Sequence, residues 1–159
     1  ERLRRALDVP AGATSDFDQN GSVPAGLEAR PAGVLAAFHE DGRLLLTKRA
    51  SGLRHHPGQI ALPGGKVDPG ETPESALICE LDEELGIQTW NSCLAPLTFA
   101  SHAYDAFHLL MPLYACRRWQ GTPHPREGQE LAWVRAAELT RYPMPPADLP
   151  LIPILRDWL

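Results

Sequence analysis

The chain has few cysteines and no long apolar run, and both absences narrow the class of protein. Its three cysteines, Cys79, Cys93 and Cys116, show no Cys-x-x-Cys spacing, and their odd number leaves one unpaired. This argues against a disulfide framework and favours reduced thiols. No segment approaches the roughly 18 apolar residues of a membrane span, and residues 1–5 lack the apolar core of a signal peptide. We therefore expect a cytoplasmic protein with no membrane partner.

An excess of positive charge is also absent. The 159 residues include 15 Lys and Arg against 20 Asp and Glu, which gives a net charge of −5. An acidic surface argues against binding long nucleic acid through its phosphates. It remains compatible with a small anionic substrate whose charge a metal ion neutralises locally. The length favours a single domain, and the sequence leaves open whether the chain is a monomer or a homodimer.

Turn-forming residues divide the chain into an N-terminal arm and one domain. Residues 1–7 are compatible with a short amphipathic helix, and residues 8–31 are rich in Pro, Gly and Ala, which predicts an irregular arm. We therefore place the arm at residues 1–30 and the domain at residues 31–159. Asp41-Gly42 separates two apolar runs and predicts a hairpin between them. The predicted strands are Val34–Phe38, Leu44–Thr47, Ile60–Leu62, Leu94–Ala100, Phe107–Ala115 and Leu131–Val134.

Two helices are predicted among these strands. Thr72 is a good N-cap and Gly86 fits the left-handed position after a helix end, so one helix should lie between them. Asp148 is a plausible N-cap for a closing helix that runs to about Leu159, with Pro150 tolerated in its first turn. Strands on both sides of a central helix and a second helix at the end predict an α/β fold. Its expected architecture is an α/β/α sandwich with a mixed β-sheet.

The first of these helices carries a cluster of acidic residues. Glu80, Glu83 and Glu84 stand at i, i+3 and i+4 and therefore project from one face. Acidic helices are more often solvated surfaces, but this one follows a Gly64-Gly65 turn. Mg²⁺ prefers oxygen ligands and usually keeps several waters, so two or three carboxylates and substrate phosphates make a suitable shell. Mn²⁺ is an alternative ion for such a shell.

Residues 65–87 resemble the Nudix box, the signature of hydrolases that split a diphosphate linked to another moiety. That pattern is Gly, five residues, Glu, seven residues, then Arg-Glu-apolar-any-Glu-Glu-any-Gly-apolar. Every fixed position matches except one, because Cys79 stands where the family has arginine. In the family this arginine holds the acidic residues in place, and a thiol has neither its charge nor its donors. We therefore expect weaker metal binding than the full motif gives, and we find no histidine spacing that favours a catalytic thiol.

The flanks of the box resemble two different branches of the family. Residues 45–65 resemble the additional motif of coenzyme A pyrophosphatases, with Leu62 where that branch usually has Phe, and residues 15–20 resemble the front of that branch. From about Glu71 onward the chain resembles MutT-type enzymes, which hydrolyse 8-oxo-dGTP and related nucleoside triphosphates. The chain therefore looks composite. Recombination, construction and divergence would each produce that appearance.

Two residues of the second half take specific roles from the MutT-type resemblance. Glu127 falls on a loop carboxylate that approaches the metal site, although it could also be a solvated loop residue. Asp148 falls where that type has an asparagine or aspartate that binds the base edge, although it could serve only as an N-cap. Phe107, with Tyr104 and His108, could line the base pocket, but aromatic residues in strands more often belong to the core.

The resemblance implies a Mg²⁺-dependent pyrophosphohydrolase that cleaves a nucleoside triphosphate, with 8-oxo-dGTP or dGTP favoured, to the monophosphate and pyrophosphate. The alternatives are a coenzyme A diphosphatase that forms phosphopantetheine and 3′,5′-ADP, and a Nudix-fold binding module or inert hybrid that lacks the box arginine. The implied catalytic residues are Glu83, Glu84 and Glu127. The implied metal ligands are Gly65, Glu80, Glu83, Glu84 and Glu127, with Glu71 in support. The implied substrate-binding residues are Arg49, Arg54, Lys66, Phe107 and Asp148.

Overall fold

A computed structural model describes residues 28–50 and 58–158 of the chain. Arg54 and the predicted helix over residues 1–7 lie outside the described residues, as does the arm up to residue 27. The strands are β1 Glu28–Ala37, β2 Leu44–Lys48, β3 Ile60–Ala61, β4 Gly64–Lys66, β5 Leu94–Ala103, β6 Phe107–Cys116 and β7 Glu130–Val134. The helices are α1 Pro73–Leu85 and α2 Leu151–Trp158, with short 3-10 helices at Asn91–Cys93 and Ala136–Arg141. None of the described helices is both long and apolar enough to cross a membrane.

The strands form two sheets. The larger sheet has the order β4-β1-β6-β5, and it is mixed because β1 runs parallel to β6 and antiparallel to β4. The smaller sheet has the order β3-β2-β7 and is antiparallel. The predicted mixed sheet is confirmed, and the second sheet is an addition to it.

Helices cover both faces of the larger sheet. Successive residues of a strand point to opposite faces. Leu35 of β1 lies in the core that contains Leu77 of α1, whereas its neighbour Ala36 lies in the core that contains Leu151 of α2. The predicted α/β/α sandwich is therefore confirmed, and β1 is buried on both faces as a central strand should be.

The hairpin prediction is only partly right. The His39 N–H donates to the Arg43 carbonyl at 2.8 Å and closes a tight turn, in which Gly42 has a φ of 81°. Beyond it, Phe38 and Leu44 form an isolated bridge, and β1 and β2 then separate into different sheets. The turn is local and visible in the sequence, but the partners of each strand are distant in the chain.

β1 also begins earlier than the sequence predicts. Residues 28–31 were expected to belong to the irregular arm, but they are the start of β1 and pair with residues 107–110 of β6. This expectation was wrong because composition reports local preference, and the extended conformation here is stabilised by a strand far away in the sequence.

The ends of α1 agree with the sequence prediction. The Ser75 N–H donates to the Thr72 hydroxyl at 3.2 Å, and the Thr72 N–H donates to the Ser75 hydroxyl at 3.0 Å, so the N-terminus has a reciprocal capping box. Gly86 follows the helix at a φ of 66°, and its N–H donates to the Asp82 carbonyl at 3.0 Å. Caps of this kind typically contribute about 1 kcal/mol, and they fix where the acidic face of α1 begins and ends.

Candidate active site

A cavity of about 360 Å³ is lined by residues of both sheets and of the loops between them. Its size falls within the range of small-molecule sites. One group of lining residues is charged and comprises Arg49, Glu84 and Glu127, with Gly65 beside them. Another group combines aromatic rings with a carboxyl and comprises Tyr104, Phe107 and Asp148. The cavity therefore brings together six of the predicted site residues with Tyr104.

The carboxyls of Glu80 and Glu84 carry an excess of negative charge. Burial, followed by repulsion from Glu80 and Glu127, raises the pKa of Glu84 to about 7, and Arg49 opposes this. Burial and then the charge of Glu83 also raise the pKa of Glu80. Both half-buried groups are therefore destabilised in their charged forms by burial and by neighbouring carboxylates, as expected where a bound cation would relieve the repulsion.

Gly65 leaves room for the Glu80 carboxyl. A Cβ at this position would overlap with the carboxyl of Glu80, so any side chain here displaces that glutamate. Gly64 has a φ of 150°, and a Cβ there would collide with the Gly33 carbonyl. The two glycines thus let β4 lie close to β1 and to α1, as the glycine turn in the sequence suggested.

The donor set of the acidic face fits a divalent cation. Carboxylate oxygens are the ligands that Mg²⁺ prefers, and Mg²⁺ usually retains waters in the remaining positions. Among residues 28–50 and 58–158, no group of three or more His, Cys, Asp or Glu side chains is arranged so that it could hold a metal ion. The side chains of Glu80 and Glu84 are hydrogen-bonded to each other. The full ligand set stays a prediction, and it comprises Gly65, Glu80, Glu83, Glu84 and Glu127.

Four of the predicted residues that the structure describes are not part of the cavity lining. Glu80 is half-buried beside Gly65, and the other three are Glu83, Lys66 and Glu71. Glu83 is exposed and acts on Glu80 through its charge. Lys66 is also exposed, and its ammonium contacts Asp68 at 3.3 Å. Glu71 accepts the Asp68 N–H at 3.3 Å and so stabilises the turn before α1. The predicted support by Glu71 and the predicted phosphate contact of Lys66 remain predictions.

Cys79 is exposed on α1 and does not line the cavity. The three cysteines are all free thiols. The positive charge next to the glutamates comes instead from Arg49, which partly offsets the rise in the pKa of both Glu80 and Glu84. Arg49 follows β2 directly, so it approaches the acidic face from the second sheet rather than from α1 itself.

The loop of residues 121–129 is hydrogen-bonded to the C-terminal end of α1. The Arg126 N–H donates to the Glu84 carbonyl and the His124 N–H donates to the Leu85 carbonyl, both at 3.0 Å. The Arg126 guanidinium donates to the Asp82 carbonyl at 2.6 Å. The last carbonyls of a helix have no partner within the helix, and this loop supplies partners while holding Glu127 beside the acidic face.

Two residues of this loop region escaped the sequence reasoning. Arg126 and Gln129 entered the sequence reasoning only as part of the half that resembles MutT-type enzymes, yet both bind the main chain of α1. The available signal was weak. A Gly128 with a φ of 73°, placed between two polar residues and two residues before β7, indicates a turn but not the partner of that turn.

Asp148 is a buried acid in the aromatic part of the cavity. It is 4% exposed, and burial raises its pKa to about 6. The alternative that Asp148 only caps the closing helix is not supported, because α2 begins at Leu151. Instead, the main chain turns twice, with Asp148 N–H donating to Pro145 and Leu151 N–H donating to Asp148, both at 2.9 Å. Pro150 accordingly precedes the helix.

The rings next to Asp148 form a stack. Tyr104 and Phe107 have centroids 4.8 Å apart with an interplanar angle of 28°, and the Arg30 guanidinium lies 4.6 Å above Phe107. His102 meets Tyr104 edge-on at 4.6 Å. Tyr104 and Phe107 are only half-buried, so they are lining residues with a free surface rather than members of the closed core.

Comparison with known proteins agrees with this site. Residues 28–155 match the NUDIX domain family. The 8-oxo-dGTP diphosphatase of Haemophilus influenzae is 38% identical over 128 residues, which cover 76% of this chain and 85% of that protein. The CTP pyrophosphohydrolase of Escherichia coli is 35% identical over 121 residues, covering 75% and 86%. A solved structure from work on MutT of Aliivibrio salmonicida and Vibrio cholerae has a TM-score of 0.69 and 30% identity, covering 83% of this chain and 100% of that one.

The family match spans most of the chain, and the acidic helix, its glycine turn and the sandwich agree with it. The likeness to coenzyme A pyrophosphatases and the composite character have no counterpart among these relatives and stay interpretations of the sequence. The chain belongs to the Nudix family and is a hydrolase of pyrophosphate bonds.

Proposed function

We propose that this hydrolase uses a divalent cation to cleave a purine nucleoside triphosphate, with 8-oxo-dGTP or dGTP preferred, into the monophosphate and pyrophosphate. The observation that carries the proposal is a single cavity lined both by the charged group around Glu84 and by the aromatic group around Asp148. A nucleotide has the same two chemical halves, a polyanionic chain and a flat ring with hydrogen-bonding edges. The Haemophilus influenzae relative is an 8-oxo-dGTP diphosphatase, which supports this choice of base.

The charged group binds and orients the triphosphate. Glu80 and Glu84, joined by Glu83, Glu127 and the Gly65 carbonyl, would hold the cation, which supplies charge neutralisation and a more acidic water. Arg49 lies beside them and contacts phosphate oxygens. A carboxylate takes the proton as the water oxygen attacks phosphorus and the P–O bond to pyrophosphate breaks. Glu84 is the favoured acceptor because its carboxyl lines the cavity together with Arg49 and Glu127.

The aromatic group binds the base. Tyr104 and Phe107 present ring surface for stacking. When ionised, Asp148 accepts hydrogen bonds but cannot donate them, so it selects a base edge with N–H donors, as guanine offers. Since Asp148 is 4% exposed, binding of a base that leaves its carboxylate without a partner would be weakened by the free-energy cost of a buried unpaired acceptor.

A second candidate substrate is CTP. The Escherichia coli relative is a CTP pyrophosphohydrolase, and the exocyclic amine of cytosine also donates to a carboxylate. The coenzyme A alternative depends partly on Arg54, which lies outside the described residues, and it stays a prediction.

Phosphorus NMR with Mg²⁺ tests the proposal and separates the candidates. The panel is dGTP, 8-oxo-dGTP, CTP, coenzyme A and ADP-ribose. We expect the purine triphosphates to give pyrophosphate and a monophosphate, whereas coenzyme A would give no pyrophosphate. Glu84→Gln is the control and should abolish cleavage. Failure to cleave any member at high enzyme concentration would contradict the proposal and favour the binding module.

A further inference from the structure

Gln129 is a buried polar residue whose side chain joins two parts of the active site. It is 8% exposed and lies directly before β7. Its side-chain oxygen accepts the Glu127 N–H at 2.7 Å. Its side-chain nitrogen donates to the main-chain carbonyl of Glu84 at 2.9 Å. One amide thus connects the backbone of the loop carboxylate to the backbone of a helix carboxylate.

The surroundings make this connection rigid. Gly128 turns the chain with a φ of 73°, which brings the Glu127 N–H back toward the side chain two residues later. The strand that follows is paired with β2, where Glu130 aligns with Lys48. A buried amide that lost either partner would have no water to replace it, which costs free energy. The side chain of Gln129 therefore has little freedom to move away.

Arg126 strengthens the same attachment. Its main-chain N–H donates to the Glu84 carbonyl at 3.0 Å, so that carbonyl accepts from both Arg126 and Gln129. Glu127 lies between these two anchors, while its own side chain is exposed and lines the cavity. The backbone of Glu127 is therefore fixed on both sides, and only its carboxylate is left to reach the reacting groups.

We infer that Gln129 is a positioning residue that sets the distance between the Glu127 and Glu84 carboxylates. The inference rests on the proposed function in one respect, that Glu127 acts at the metal site. Gln129 also lines the cavity, but in this role it acts through its two hydrogen bonds and not through contact with substrate. It acts through Glu127, in the manner of the outer partners that orient ligating groups in metal sites.

The first test measures the geometry without any substrate or metal. Amide hydrogen exchange followed by NMR should show the Glu127 N–H protected in the wild-type protein. Gln129→Met keeps the length of the side chain and removes both polar atoms, and exchange at Glu127 should become about tenfold faster. The matched control is Gln120→Met, which changes an exposed glutamine directly before the same loop and should leave that exchange unchanged. An unprotected Glu127 amide in the wild type would overturn the inference whether or not the variant folds.

The second test asks whether the effect passes through Glu127. Gln129→Met should lower kcat about 10- to 100-fold, with KM for the nucleotide changed by less than about twofold. In the Glu127→Gln background the same change should cost little more, because the group that Gln129 positions is already disabled. Full additivity of the losses, or an unchanged kcat, would overturn it. If the wild type cleaves no nucleotide, the proposed function fails, and the exchange experiment still decides the role of Gln129.

Discussion

The guanidinium of Arg126 donates to the main-chain carbonyl of Asp82 at 2.6 Å and lies 3.5 Å from the Asp82 carboxylate. This contact joins the loop that carries Glu127 to the last turn of α1. It also places a positive charge where a helix end is negative, which is favourable. The stability of the end of α1 and the position of the Glu127 carboxylate therefore both depend on the Arg126 side chain.

Arg126→Met should loosen this attachment. We expect the free energy of unfolding to fall by about 1 kcal/mol, since a charged donor is lost but the group is partly exposed and screened. Urea denaturation followed by circular dichroism measures it. Arg135→Met, another exposed arginine directly after β7, should change stability by less than about 0.5 kcal/mol. Equal effects of the two variants would show that the Asp82 contact contributes nothing specific.

Gly65→Ala should impair metal binding more than folding. The new methyl group would occupy the space of the Glu80 carboxyl, and the glutamate can swing outward because it ends in a flexible chain. We expect Mn²⁺ affinity, measured by water-proton relaxation, to fall by about tenfold or more. The thermal midpoint should shift by only a few degrees. Retention of full Mn²⁺ affinity would mean that Glu80 is not a ligand in its present position.

Cys79→Arg should raise activity. The substitution restores the cation that the Nudix box has at this position, next to carboxyls that now depend on Arg49 for compensation. We expect tighter Mg²⁺ binding and a higher kcat/KM, measured at several Mg²⁺ concentrations. Cys79→Ser, which adds no charge, should leave both unchanged. A lower turnover with unaltered metal affinity would contradict the prediction.

Asp148 should make the stability depend on pH. Burial raises its pKa from 3.8 to about 6, so between these values the folded state binds more protons than the unfolded state. Stability from this group is then full below about pH 4, is lost as pH rises toward 6, and stays lost above it. The free energy of unfolding of Asp148→Asn, relative to that of the wild type, should therefore rise by about 1 to 3 kcal/mol between pH 4 and pH 7. Denaturation curves at each pH test this, and a constant difference would refute it.

The parts of the fold that local chemistry determines could be predicted from the sequence. Thr72 and Gly86 bound α1 because each acts on its own neighbouring backbone groups. The start of β1 at Glu28 could not be predicted in this way, since it depends on a partner strand at Phe107. The separation of β1 and β2 into two sheets depends in the same way on distant pairing.

The same division applies to the candidate site. The spacing of Glu80 and Glu84 placed both on one helical face, and the structure agrees. The burial of Asp148 arises in a cavity that strands and loops from distant parts of the chain form together. The two bonds of Gln129 arise where a loop meets a helix that it follows by many residues. The pattern of residues along the chain does not show such long-range contacts. Cys79 shows the converse case, in which the sequence reveals a departure from the motif whose effect on catalysis only measurement can give.

The parallel alignment of β1 with β6 has a consequence for biosynthesis. β1 leaves the ribosome first among the described strands and can pair with β4 soon afterward. Its other edge stays uncovered until β6 is synthesised, because Val34 pairs there with Leu113. Until then a strand that is apolar on both faces exposes unpaired N–H and C=O groups, which favours intermolecular association. The nascent chain should therefore engage chaperones until β6 has emerged, and its refolding yield should fall steeply with protein concentration.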